Sequence, residues 1–237
     1  MDRKIPFTEN EIYHLYTRGV EKRITFLNKR DQDRFIALLF VCNSTKDVRI
    51  ANMLRKSLEQ GESLLEMLLG EKEGEKETET LVDILAYALM PNHIHLLVRE
   101  KKTGGISKFM HKLLTAYSMY FNTKYTRSGP LFTRPFRSKH IDSDEYFRWV
   151  FAYVLLNPLE LLQSDWKERG IQDRNAASLH LQTYPYSSYA DYFLNDRPES
   201  RILEKDALPI EMHDLKTMDD LLLALSETSS EAETFPE

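Results

Sequence analysis

Hydrophobic and polar residues along this chain follow two periods, and the shorter period predicts four strands. Residues 11–18 alternate between polar and apolar side chains, as in a half-buried strand. Two apolar runs, 81–90 and 93–99, are separated only by a Pro-Asn pair and therefore predict a β-hairpin. A fourth strand is expected around 134–141. These segments would form the sheet of the molecule.

The longer period predicts three main helices between and after these strands. Residues 31–43 and 106–122 place apolar side chains on one helical face. Residues 144–157 do the same, and either Asp142 or Ser143 is suited to cap this helix. The order βαββαβ with a further helix predicts a ferredoxin-like α+β sandwich.

The length of the chain, 237 residues, suits one large domain with additions. We expect residues 1–190 to form the main domain, with a helical and then acidic insertion at 44–80. Residues 191–237 are expected to form an acidic, partly disordered C-terminal extension, with a short docking helix at 218–225.

Two pairs of polar residues are candidates for chemistry. His93 and His95 lie at i and i+2 on a predicted strand, so they point to one face and can bind one metal ion together. Two half-exposed strand histidines explain this pattern equally well. Tyr153 and Asn157 are neighbours beside the apolar stripe of helix 144–157. The alternative is a tyrosine that packs its ring and keeps its hydroxyl in water.

Six short motifs occur in an order that resembles a known family. They are YHLYTRG (13–19), MPNHIHLLV (90–98), YSMYFN (117–122), RSGPLF (127–132), YVLLNP (153–158) and YPYSSY (184–189). Together they resemble the single-tyrosine HUH transposases of small insertion sequences, and the REP-associated tyrosine transposase branch in particular. The resemblance covers residues 10–43 and 81–190, and it implies the same ferredoxin-like fold.

The resemblance also implies roles for four residues. His93 and His95 match the pair that binds a divalent metal, expected to be Mg²⁺ or Mn²⁺. Tyr153 matches the nucleophile, and Asn157 matches the polar residue that completes the metal shell. The implied reaction is cleavage of single-stranded DNA near a hairpin or palindromic repeat, through a 5′-phosphotyrosine intermediate. A domesticated protein that binds hairpin DNA without cleaving it is the alternative.

Charge is distributed unevenly, although the net charge is only −5. Residues 99–140 carry ten Lys or Arg and one acid, whereas residues 202–237 carry ten acids and two lysines. Basic residues interleaved with aromatic ones suit single-stranded nucleic acid, although a solvated helix face above core aromatics is the alternative. The predicted DNA contacts are Arg18, Lys108, Lys112, Tyr117, Tyr120, Arg127, Arg134 and Arg137.

Other residues of the same types are rivals for these roles. Tyr117, Tyr120 and Tyr125 are alternative nucleophiles, but the resemblance assigns them to packing and substrate contact. His14 lies on the first strand and is more often structural or DNA-contacting than a metal ligand. Arg18 matches an Arg-Gly element of the family, which is consistent with a phosphate contact or with a surface charge at the strand end.

The cysteine count and the absence of long apolar runs indicate the cellular compartment. The single cysteine, Cys42, excludes an internal disulfide and fits a reducing cytoplasm. Neither a signal peptide nor an apolar run near 18 residues occurs, so we expect a cytoplasmic protein without a membrane partner. Monomer and homodimer both stay open, because in some relatives the tyrosine helix of one subunit serves the histidines of another.

Overall fold

The computed structural model describes most of the chain. The described residues are 6–46, 52–53, 55, 59, 64–70, 79–194, 197–212 and 214–227. The acidic part of the predicted insertion, at 71–78, and the predicted disordered end of the extension, beyond 227, lie outside these residues.

Four strands form one antiparallel sheet in the described part of the chain. They are β1 (Ile12–Arg18), β2 (Val82–Met90), β3 (His93–Glu100) and β4 (Arg137–Ile141). Their spatial order is β2-β3-β1-β4, so the first and third strands lie at the centre. This order with all neighbours antiparallel is that of the ferredoxin-like βαββαβ unit, and the predicted α+β fold is confirmed.

Helices cover both faces of this sheet. On one face, α1 (Lys29–Cys42) packs against α3 (Gly105–Lys124), with α2 (Leu64–Leu69) beside α1. On the other face lies α4 (Asp144–Leu156), the predicted tyrosine helix. The helices α1, α3 and α4 agree with the predicted ranges within a few residues, because their apolar periodicity is strong.

Several shorter elements follow α4. They are a 3-10 helix (Asn157–Leu161), α5 (Trp166–Arg169), α6 (Arg174–Thr183), α7 (Tyr189–Phe193) and α8 (Met218–Glu227). Other 3-10 turns are Val20–Lys22, Pro198–Ile202, Lys205–Ala207 and Ile210–Met212. The helix α8 confirms the predicted docking helix, since it packs on α4 with Met218, Leu221 and Ala224 buried. Helices α5 to α7 were not predicted, because each is short or weakly patterned.

The alternation of β3 divides its side chains between two hydrophobic cores. Ile94 and Leu96 belong to the core under α1 and α3. Leu97 belongs to the core under α4, and His95, two residues before it, points the same way. The polar site residues of β3 therefore face α4, as strand parity predicts.

The outer edge of β2 is covered by the segment that contains the YPYSSY motif. The Leu89 amide donates to the Tyr186 carbonyl (2.9 Å), and the Ser188 amide donates to the Tyr87 carbonyl (2.9 Å). The Tyr184 hydroxyl also donates to the Leu89 carbonyl (2.5 Å). An uncovered edge strand offers free backbone groups to other chains, so this motif protects the sheet.

This edge cover continues past residue 190, where the C-terminal extension was expected to begin. Arg197 donates from Nε (2.7 Å) and Nη2 (2.8 Å) to the buried carboxylate of Asp191. Arg197 also donates to the carbonyl oxygens of Pro185 and Ser187. The first part of the extension is thus built into the main body.

A buried carboxylate joins α1 to α3. Asp31 accepts hydrogen bonds from Tyr120 (2.9 Å), Lys124 (2.6 Å) and Tyr125 (2.7 Å), and from the Leu27 amide (3.0 Å). Burial raises the pKa of Asp31, but these hydrogen bonds outweigh burial and leave the pKa below its ordinary value. The cluster therefore stabilises the fold in its ionised form.

Replacing Asp31 with asparagine should destabilise the protein by about 2–3 kcal/mol at pH 7, because a charged acceptor is lost and an amide donor faces other donors. The pKa of Asp31 is lower in the folded protein than its value of 3.8 in the unfolded chain. The stabilisation from ionised Asp31 is therefore complete above pH 3.8 and is lost as the pH falls through the folded pKa. Urea unfolding at pH 7 and near pH 3 measures both effects. The variant Asp214→Asn removes an exposed carboxylate that pairs with Arg148, and it should leave the stability nearly unchanged.

Candidate functional site

Strand β3 and helix α4 bring the histidine pair and the tyrosine together in one chain. The ring centroids of His93 and His95 are 5.0 Å apart, and the rings are nearly perpendicular (88°). The ring of Tyr153 lies 5.3 Å from that of His95, also edge to face (85°). The histidine pair and Tyr153 therefore lie together, as the sequence predicts, within a single chain.

Helix α4 places Tyr153 at the margin of its buried face. The helix begins at Ser143, whose hydroxyl oxygen accepts from the Tyr146 amide (3.2 Å), so Ser143 rather than Asp142 is the cap. Tyr153 is half-buried, whereas the residues on either side of it are buried. The Trp149 ring stacks on the Tyr153 ring one turn earlier (5.2 Å, 12°) and holds its orientation.

Asn157 is the most unusual polar residue of the site. It begins the 3-10 helix after α4 and is completely buried beside His93. Neither its Oδ1 nor its Nδ2 makes a hydrogen bond of good geometry within the described part of the chain, although its interaction with His93 acts to raise the pKa of that ring. A buried amide without partners costs stability, and such groups are rare unless they serve a ligand.

Each of the two histidines uses one ring nitrogen within the protein. His93 Nδ1 lies 2.7 Å from Asn92 Oδ1, and His95 Nδ1 lies 2.9 Å from His14 Nε2. The Nε2 atoms of His93 and His95 are then the nitrogens that can bind a metal. Burial lowers the pKa of His93 to about 4 and the pKa of His95 well below 6.5, so both rings are neutral at pH 7. Neutral imidazole is the form that binds metal ions.

His14 is a site residue that the sequence pattern did not reveal as one. It is completely buried on β1, and burial lowers its pKa to about 3. In the register of β1 against β3, Tyr16 lies opposite His95, so His14 lies diagonally across from it. The two rings stack at 5.1 Å. His14 therefore orients a candidate metal ligand and is not exposed for DNA contact.

Replacing His14 with phenylalanine should weaken Mn²⁺ binding by about 10- to 100-fold, because His95 loses the partner that fixes its ring and tautomer. Calorimetric titration of the protein with Mn²⁺ measures this change. The matched variant His140→Phe removes an exposed histidine on β4 that pairs with Glu11 (2.7 Å), and its Mn²⁺ affinity should be unchanged. Equal affinities for the two variants would contradict the role of His14.

A cleft of about 350 Å³ opens in front of these residues. Four basic side chains and one carboxylate lie along it, which makes it suited to an anionic ligand such as a phosphodiester. Its lining residues are Tyr16, Thr17, Arg18, His93, His95, Thr133, Arg134, Pro135, Arg137, Tyr153, Glu160 and Lys167.

The predicted DNA contacts divide into two groups. Arg18, Arg134 and Arg137 line the cleft, and Arg18 lies opposite His93 in the sheet register. Lys108 is exposed on α3, on the other face of the sheet. The three arginines thus occupy positions suited to the predicted role.

The other four predicted contacts are engaged within the fold. Lys112 donates to the carbonyl oxygens of Ser44 (2.8 Å) and Lys46 (3.1 Å), and Tyr117 is completely buried with its hydroxyl on the Thr25 carbonyl (2.7 Å). Tyr117 is therefore a core residue and not a stacking platform for DNA bases.

Tyr120 and Arg127 also make hydrogen bonds within the protein. The Tyr120 hydroxyl donates to Asp31, and Arg127 donates to Asn122 Oδ1 (2.9 Å) and the Pro130 carbonyl (2.9 Å). These contacts close the loop after α3. Sequence composition could not separate such structural residues from those in the cleft.

Acids from elsewhere in the chain neutralise part of the basic segment 99–140. Asp83 pairs with both Arg99 (2.8 Å) and Lys101 (3.2 Å), and Glu79 pairs with Lys102. These ion pairs reduce the excess positive charge expected from the sequence, and Arg134 and Arg137 are the basic residues of the segment that line the cleft.

The donor set at the site fits a divalent cation. His93, His95 and Asn157 offer two neutral imidazoles and one amide oxygen, and the amide has no other partner in the described structure. No group of three or more His, Cys, Asp or Glu that could hold a metal occurs among the described residues. A neutral donor set leaves the full charge of the ion available to a phosphate.

The sequence of this region matches a known family. A model of the family "Transposase IS200 like" matches residues 51–155. His93, His95 and Tyr153 lie inside the match, and Asn157 lies two residues beyond its end. The match covers less than half of the chain and begins within 44–80, the segment that was expected to be an insertion.

Other comparisons add the following. No curated protein matches the chain significantly. A solved structure of a REP-associated tyrosine transposase bound to a REP hairpin aligns with 81% of this chain and 84% of that chain, with a TM-score of 0.45 and 11% identity. In the described part of the chain, no helix is long and apolar enough to cross a membrane.

Proposed function

We propose that this IS200-like protein is a metal-dependent transposase that nicks and rejoins single-stranded DNA through a 5′-phosphotyrosine. The arrangement of Tyr153 against His93 and His95, beside the buried amide of Asn157, is the observation that carries the proposal. A tyrosine hydroxyl beside candidate metal ligands, in a cleft lined by basic residues, is suited to nucleophilic attack on a phosphodiester.

His93, His95 and Asn157 would hold the ion, which we propose to be Mg²⁺ or Mn²⁺. When bound, such an ion polarises the scissile phosphate and offsets the charge that develops on it. The arginines of the cleft, Arg18 and Arg134, would bind the flanking phosphates.

The covalent step belongs to Tyr153. Its hydroxyl oxygen forms a bond to phosphorus, and the bond between phosphorus and O3′ breaks with its electron pair on O3′. The phenol proton passes to solvent, and O3′ takes up a proton to leave as a 3′-hydroxyl. A 3′-hydroxyl can later attack the phosphotyrosine in the reverse sense, so rejoining needs no nucleoside triphosphate.

The substrate we propose is single-stranded DNA that carries a hairpin or palindromic repeat. A cleft of about 350 Å³ lined by basic side chains and Tyr153 suits one flexible phosphodiester strand. One chain supplies the tyrosine, both histidines and the amide, so a homodimer is not needed to complete the site.

A denaturing gel tests this function directly. The protein is incubated with labelled single-stranded DNA that carries a hairpin, in the presence of Mn²⁺, and then denatured. A covalent protein–DNA band that EDTA prevents is the expected result. Tight binding with no such band would instead favour a hairpin-binding protein that has lost cleavage.

A further inference from the structure

Two charged residues beyond the matched region line the cleft beside the tyrosine. Glu160 lies in the 3-10 helix after α4, and Lys167 lies in α5. The Lys167 Nζ is 4.8 Å from the centre of the Tyr153 ring and 3.8 Å from Glu160 Oε2. Both side chains are partly shielded, with 28% and 32% of their surface exposed, so their charges are screened less than at a free surface.

The loop that presents Lys167 is built to hold one position. The neighbouring Trp166 is buried, and Gln163 Nε2 donates to Asp165 Oδ1 (3.1 Å) and to the Gly170 carbonyl (2.9 Å). Gln163 Oε1 accepts from the Gln172 amide (3.1 Å) and closes the loop. A lysine that only covered surface would not need such support.

The ammonium of Lys167 lies beside the attacking phenol, since its Nζ is 4.8 Å from the centre of the Tyr153 ring and both residues line the cleft. In the attack on DNA, negative charge develops on the Tyr153 oxygen and on the phosphate oxygens. An ammonium that is partly shielded from solvent stabilises such charge more than one at a free surface does.

We propose that Lys167 stabilises the charge on the attacking phenol and the scissile phosphate, and that Glu160 positions it. This inference rests on the proposed transesterification and adds two residues to it. When the phosphotyrosine is resolved, Lys167 would stabilise the departing phenolate in the same way. Lys167 would thus act in both directions of strand transfer.

The experiment measures the rate of covalent adduct formation in a single turnover, with excess protein, hairpin-bearing DNA and Mn²⁺. The Lys167→Met variant should lower the rate at saturation by roughly 10- to 100-fold, and Lys167→Arg should restore most of it. The DNA dissociation constant, measured in EDTA, should rise by less than about 3-fold, since one phosphate contact among several is affected. Glu160→Gln should give a smaller loss of rate, with little change in affinity.

A second lysine–carboxylate pair provides the matched control. Lys29 pairs with Asp33 (2.7 Å) at the start of α1, on the opposite face of the sheet. Lys29→Met should leave the rate within about 2-fold of the wild type. An unchanged rate in Lys167→Met, or a loss explained entirely by weaker DNA binding, would overturn the role of Lys167 alone. An absence of adduct in the wild type would overturn the proposed function itself.

Discussion

Replacing Tyr153 with phenylalanine should abolish the covalent DNA adduct, with a loss of at least about 1,000-fold in rate, because the variant lacks the hydroxyl that we propose forms the ester bond. The ring remains, so the stacking on Trp149 and the packing against His95 persist. Binding of hairpin-bearing DNA should stay within about 3-fold of the wild type, since phosphate contacts dominate affinity. Adduct formation and gel-shift binding on the same DNA measure the two effects.

Tyr125→Phe is the appropriate comparison for this variant. Tyr125 was a rival nucleophile, but its hydroxyl donates to Asp31 on the other face of the sheet. This variant should lose some stability and keep its adduct. A persistent adduct in Tyr153→Phe would place the nucleophile elsewhere, and a sharp loss of adduct in folded Tyr125→Phe would have the same meaning.

Replacing Asn157 with leucine should make the metal-free protein more stable by about 1–2 kcal/mol, because a buried amide without hydrogen bonds is replaced by an apolar group of similar size. The same change removes a proposed metal ligand, so Mn²⁺ affinity should fall by at least about 10-fold. Urea unfolding in EDTA and calorimetric Mn²⁺ titration measure the two effects separately. We therefore expect stability to rise and Mn²⁺ affinity to fall, because Asn157 is proposed to bind metal and does not stabilise the metal-free fold.

Asn43→Leu is a control with the same chemistry and the opposite expectation. The Asn43 side chain is buried and bonded, since it accepts from the amides of Leu81 (3.1 Å) and Val82 (3.0 Å) and donates to the Val82 carbonyl (2.9 Å). Its replacement should destabilise the protein by about 2–4 kcal/mol and leave Mn²⁺ affinity unchanged. A loss of stability in Asn157→Leu as large as that in Asn43→Leu would contradict the view of Asn157 as a partnerless ligand.

The sheet and its main helices could be predicted from the sequence because periodicity is a local property. Strand parity placed His93 and His95 on one face, and helical spacing placed Tyr153 and Asn157 side by side at the margin of a core. Both pairs lie in long, strongly patterned elements. The short helices α5 and α7 have four and five residues, too few to show a period, and they were missed.

The same limit explains why only some of the predicted DNA contacts lie in the cleft. Composition showed that basic and aromatic residues alternate over 99–140, but it could not show which partners they would meet. Tyr117 is buried in the core, and Lys112 donates to the Ser44 carbonyl just after the end of α1. Whether such a residue contacts DNA or the protein itself depends on groups far away in the chain.

By itself, the sequence determined which residues share a face: the two histidines on β3, and the tyrosine with its asparagine on and just after α4. Only the tertiary structure decided what stands across from them. The strand order put His14 of β1 behind His95, and the chain after α4 folded back to place Lys167 over Tyr153. The physical reason is that periodicity acts over a few residues, whereas these contacts are longer in range. His14 and His95 are separated by 81 residues in the sequence, and Tyr153 and Lys167 by 14.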